Sequence, residues 1–119
     1  MTELTNQEYF DKTVKHIIAQ GSACKLYNES GSHCLFKCGS KRCAIGYWIP
    51  EEHPILHYTY GGMDTLAKHF PELEGVAWPN TEHGYDLACS LQFLHDLDIV
   101  GRKIFEERVN GIKEMYNLN

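Results

Sequence analysis

The stretch His33–Pro50 constrains the fold of this chain more than any other; it reads His-Cys-Leu-Phe-Lys-Cys-Gly-Ser-Lys-Arg-Cys-Ala-Ile-Gly-Tyr-Trp-Ile-Pro. It holds three of the five cysteines and has the pattern of a hairpin. An apolar run reaches Cys38, Gly39-Ser40-Lys41 supplies turn chemistry, and a second apolar run from Cys43 to Ile49 closes at Pro50. With Phe36 facing Cys43, Cys34 faces Ile45, and all four side chains share one face because residues two apart on a strand point the same way. Two strands alone are marginal in water, so helices must cover that face.

The flanking sequence supplies them. Thr5-Asn6-Gln7-Glu8 fits a capping box, Phe10, Val14, Ile17 and Ile18 recur at helical spacing as a buried face, and Gly21 is a natural stop. Ser22 to Tyr27 reads as an irregular strand and Asn28 to Ser32 as a polar loop. Residues 51–62, with two prolines and Gly61-Gly62 but no sustained period, read as a long ordered loop, a kind that is often functional. Asp64 is placed to cap a short helix from Thr65 to Phe70, ended by Pro71, and Trp78-Pro79 anchors the connector that follows. The helical period returns from Thr81 or Glu82 to Leu97, with Leu87, Leu91, Leu94 and Leu97 as its stripe. A last helix from Val100 to Met115 carries Ile104, Phe105, Val109, Ile112 and Met115 on one side. The expectation is a single α+β domain over residues 1–119. A small antiparallel sheet centred on about 33–49 packs against the N-terminal helix and a C-terminal helix pair.

At 119 residues the chain can bury a core without staples. Its net charge of −5 disfavours general nucleic-acid binding. The charge is uneven: Lys25, Lys37, Lys41 and Arg42 surround the hairpin with only Glu29 near them in sequence, so an anionic ligand or acidic surface would prefer that side. No apolar run approaches the roughly 20 residues of a membrane span, and Met1 to Thr5 lacks the features of a signal peptide. A cytosolic protein with reduced cysteines is expected, and an odd cysteine count argues against a pure disulfide framework.

Three groups of residues carry chemistry. His33, Cys34, Cys38 and Cys43, with His53 or His57, could hold zinc, although structural zinc sites usually have paired ligands at tight spacing and no CxxC occurs; the plain reading is small core thiols. Cys43, His95 and Asp96 have the residue types of a thiol enzyme, but neighbouring helical residues point about 100° apart, which argues against His95 and Asp96 working as a pair. The plain reading of His95 is a helix-ending cation or a hydrogen bond to the hairpin. Tyr47, Trp48, His53, His57, Tyr58 and Tyr60 form the third group. Their rings could stack on a nucleotide-like molecule whose charge meets Lys41 or Arg42, or present a protein-binding surface, or simply wrap the loop on the core. No phosphate-loop, dinucleotide, HExxH or GxSxG pattern occurs, and no cofactor is expected.

Three features together resemble a family of small proteins, of uncharacterised activity, from bacteriophages and bacteria. They are the N-terminal amphipathic helix, Cys34 followed by Arg42-Cys43-Ala44-Ile45-Gly46-Tyr47-Trp48-Ile49-Pro50-Glu51-Glu52, and the later Leu91-Gln92-Phe93-Leu94-His95-Asp96. The likeness extends to about Leu97; Cys38 departs from a family pattern that has a turn residue in that region, which weakens the three-cysteine zinc set. The resemblance implies an accessory protein of a mobile genome, acting in the host cytosol by stoichiometric binding. It would inhibit a host defence system by occluding a protein component or sequestering a nucleotide-like signal. It also implies a shared polar and thiol set, Cys34, Cys43, Gln92, His95 and Asp96, which could equally be a buried network stitching helix to hairpin. A homo-oligomer is compatible with such a protein.

Overall fold

The computed structural model describes residues 4–28, 31–34, 36–38, 40–57 and 63–119, with backbone alone for 25–28, 31–34, 57, 64 and 65. The first helix, α1 (Asn6–Gln20), starts where the cap places it. The Thr5 hydroxyl accepts from the Glu8 N–H at 3.1 Å, and Gly21, at φ 80°, ends the helix with its own N–H on the Ile17 carbonyl. The Glu8 carboxylate pairs with Lys12. The buried face is rotated from the expected one: Tyr9, Phe10, Thr13 and Ile17 are covered, Val14 is half-buried and Ile18 is exposed. Trp48 explains the rotation. Its ring stacks on Tyr9 at 5.0 Å and its indole N–H donates to the Thr13 hydroxyl at 2.8 Å, while the Tyr9 hydroxyl donates to the Ala77 carbonyl at 2.7 Å. The two polar residues are buried because their hydrogen-bonding groups have partners.

Two small antiparallel ladders follow. Strand β1 (Lys25–Asn28) pairs with β2 (Gly31–Cys34), setting Lys25 opposite Cys34; β3 (Lys37–Cys38) pairs with β4 (Lys41–Arg42), setting Lys37 opposite Arg42. The second ladder extends by one bond, Cys43 N–H to the Phe36 carbonyl at 3.2 Å, so Phe36 and Cys43 face each other as the sequence predicts. The expected pairing of Cys34 with Ile45 does not form. Cys34 belongs to the first ladder, and after Cys43 the chain curls into a 3-10 turn, Gly46–Trp48. The curl is fixed by the Gly46 N–H on the Cys43 thiol at 3.1 Å and by the Arg42 guanidinium on the Gly46 and Ile49 carbonyls at 2.6 and 3.0 Å. Only glycine fits here, because a Cβ on Gly46 would lie 2.1 Å from the Phe36 carbonyl oxygen.

The segment after Pro50 holds a 3-10 turn, Pro54–His57; Tyr58, Tyr60, Gly61 and Gly62 lie outside the described residues. Helix α2 (Met63–His69) contains Asp64 in its first turn, so Asp64 is not its cap. Trp78 and Pro79 are buried, as an anchor requires. Helix α3 (Gly84–Asp96) begins later than expected, at a glycine pressed against the Pro79 carbonyl. Leu87, Leu91 and Leu94 form its buried stripe and Leu97 is half-buried. Helix α4 (Lys103–Met115) starts after Gly101, at φ 89°, and an extended Arg102. Phe105 and Ile112 are buried, but Ile104 and Met115, expected in the core, are exposed. The Ser90 and Tyr116 hydroxyls meet at 3.0 Å, and Arg108 lies over the Phe93 ring at 5.9 Å, so α3 and α4 run antiparallel. The architecture is α+β: α1 packs on α3, α4 flanks α3, and the core gathers Phe36, Cys43, Ile45 and Ile49 beneath them. Among the described residues, no helix is long and apolar enough to cross a membrane.

Candidate functional site

The chemistry-bearing residues of α3 meet the first part of the chain in one network, buried at His95 and half-buried at Gln92 and Asp96. His95, 2% exposed, accepts the Cys24 N–H on Nε2 at 2.9 Å, and its Nδ1 faces the Asp96 carboxylate at 2.8 Å. An acceptor role on Nε2 assigns the proton to Nδ1, which therefore donates to Asp96. The same carboxylate oxygen accepts from the Gln92 amide at 2.8 Å, and the Gln92 carbonyl accepts from the Ile45 N–H at 3.2 Å. Asp98 adds a second clamp beside it, accepting the Ala23 N–H at 2.9 Å from a left-handed backbone, φ 54°. His95 and Asp96 thus do meet, although the spacing of neighbouring helical residues argues against their working as a pair. The 100° separation applies to the Cα–Cβ directions, and the two short side chains curl back across it.

This network is a poor base for thiol catalysis. The Cys43 thiol is buried and accepts from Gly46, and burial above all pushes its pKa up to about 12, so almost no thiolate exists at neutral pH. Cys24, also buried, donates its S–H toward the Lys41 carbonyl at 3.6 Å. Of the zinc set, Cys43 is thus enclosed, Cys38 is half-buried on β3, and the side chains of His33 and Cys34 lie outside the described residues. Among the described residues, no group of three potential ligands comes together.

The hairpin side holds the residues named for binding. Arg42 is half-buried: beyond the Gly46 and Ile49 carbonyls it pairs with Glu51, which also takes Lys37. Its backbone is held as well, with the N–H on the Gln20 side-chain Oε1 at 2.8 Å and the carbonyl accepting from Gln20 Nε2 and from His16 Nε2 at 2.8 and 3.0 Å. The basic side is accordingly less positive than the sequence suggests. Trp48 is spent on Tyr9 and Thr13. His53 accepts the Ile55 N–H on Nδ1, faces Glu72 at 3.5 Å and meets the Phe70 ring edge-on. Lys41 and Tyr47 remain on the surface. Tyr47, 42% exposed, stacks on His16 at 4.5 Å and meets Trp48 edge-on at 5.4 Å, which fixes its ring from two sides. His57, Tyr58 and Tyr60 cannot be placed against it, since their side chains lie outside the described residues.

A second surface escaped the sequence reading. Between α3 and α4 lies an open groove of about 670 Å³, lined by Phe93, Ile104, Arg108, Gly111 and Met115 among others. Phe93 is 56%, Ile104 43% and Met115 72% exposed, which leaves apolar surface uncovered along the groove. The one sequence signal was Phe93, which sits off the Leu87, Leu91, Leu94 stripe. Comparison of the chain with protein-family models, with curated proteins and with solved structures finds no match in any of the three.

Proposed function

We propose that this protein acts by stoichiometric binding to a protein partner, without turnover. The observation that supports this reading is Tyr47, an exposed ring held rigid by His16 and Trp48, next to chemistry-bearing residues that are consumed in internal bonds. Exposed aromatics that lose little freedom on contact are the residues that dominate interface energies. On the resemblance carried by residues 42–52 and 91–96, the partner is a component of a host defence system and the protein is a phage-type accessory protein of the host cytosol. Protein occlusion is preferred over capture of a nucleotide-like signal because Arg42 and Trp48, the groups proposed to hold a phosphate and a base, are already bonded within the fold.

The test is capture from host lysate with the tagged chain, comparing the unaltered protein with Tyr47→Ala. The expected result is a stoichiometric partner whose affinity falls by on the order of thirtyfold in the variant, with the unfolding midpoint little changed. Absence of any Tyr47-dependent partner would sink the proposal.

A further inference from the structure

We infer that the α3–α4 groove is the interface of a symmetric homodimer. The exposed line along α4 is Ile104, Arg108, Gly111 and Met115, at successive spacings of four, three and four residues, which keeps all four on one helical face. Read in reverse, the line has the same character: apolar, then the central Arg and Gly, then apolar. Two copies of α4 laid antiparallel about a twofold axis between Arg108 and Gly111 therefore match themselves. Ile104 of one copy meets Met115 of the other at both ends, and Arg108 of each, flanked by Phe93 of its own chain, lies over Gly111 of its mate.

Gly111 gives the register its physical sense. Glycine is the poorest helix former after proline, and this one sits mid-helix, where a Cβ would meet nothing within 4 Å of it. Within one chain it serves no close approach; against a second copy it leaves room for a guanidinium. The charges agree, since Glu107 lines the same groove one turn before Gly111 and Glu114 is exposed about one turn after it. Each incoming Arg108 thus arrives between carboxylates, and the twofold axis repeats the match. Phe93, on α3, supplies the apolar flank.

The experiment is sedimentation equilibrium of the full chain over a range of concentrations, with three variants. The unaltered protein should show a monomer–dimer equilibrium. Arg108→Glu and Glu107→Arg should each weaken it by on the order of tenfold or more, and the two together should restore it, because the swapped charges match again. Gly111→Leu should abolish the dimer while the chain keeps its helical circular dichroism, since the added side chain enters open space in the monomer. A monomer at every concentration would overturn the proposal. So would a dimer indifferent to the single charge changes, a double variant no better than either single one, or a Gly111→Leu protein that still dimerises.

Discussion

Helix α3 has two faces that invert the usual division of labour. Its inner face carries Gln92, His95 and Asp96, polar residues that would ordinarily be sought at a catalytic surface, and every one is bonded within the fold. Its outer face carries Phe93, a residue that would ordinarily be assigned to a core, and it stands half uncovered beside Ile104 and Met115. Residue type alone misassigns both. Polar groups can be structural when each finds a partner, and apolar ones can be the working surface when neighbouring elements leave them open.

Substitutions on α3 separate the two roles. The largest effect is expected from His95→Ala, which leaves the buried Cys24 N–H without its acceptor and opens a cavity, at a cost of about 3 kcal/mol in urea denaturation. Phe93→Ser at the exposed position, measured on the monomer, should stay within about 0.5 kcal/mol; equal costs at the two positions would erase the distinction. Gln92→Ala should fall between them, at roughly 1–2 kcal/mol, since it frees the Ile45 N–H but leaves the His95–Asp96 bond in place.

The smallest effect concerns His16, at the edge of the inner region. Burial lowers its pKa, against a weaker opposing influence from its bond to the Arg42 carbonyl. The unfolded chain takes up this proton near pH 6.5, at about the ordinary histidine value. The folded chain does so only at lower pH, so stability is full above that range and declines as pH falls through it. Urea midpoints measured from about pH 8 down to 5 should decline less steeply in His16→Gln, whose amide can still donate to Arg42. An unchanged slope would assign the titration to other groups.

What could be read from the sequence was local. The Thr5 cap, the Gly21 stop and the facing of Phe36 and Cys43 each depend on residues within a few positions of one another or across one tight turn. The rest depended on distant partners. Tyr9 and Thr13 look like surface positions until Trp48, thirty-five residues from Thr13, supplies a ring and an N–H. Ile104 and Met115 satisfy a helical stripe as well as Phe105 and Ile112 do, and only the placement of α4 beside α3 decides which of them is covered. Gln92, His95 and Asp96 stood out as a set, yet their geometry depended on where the Cys24 and Ile45 amides would arrive.

The bond between Cys24 and His95 joins residues 71 positions apart, and that between Tyr9 and Ala77 spans 68. Contacts of such separation are slow to find because a long loop must close first. On the ribosome, the amide of Cys24 has no access to this acceptor until α3 has cleared the exit tunnel. The first half of the chain is thus synthesised well before the Cys24 amide can meet its acceptor.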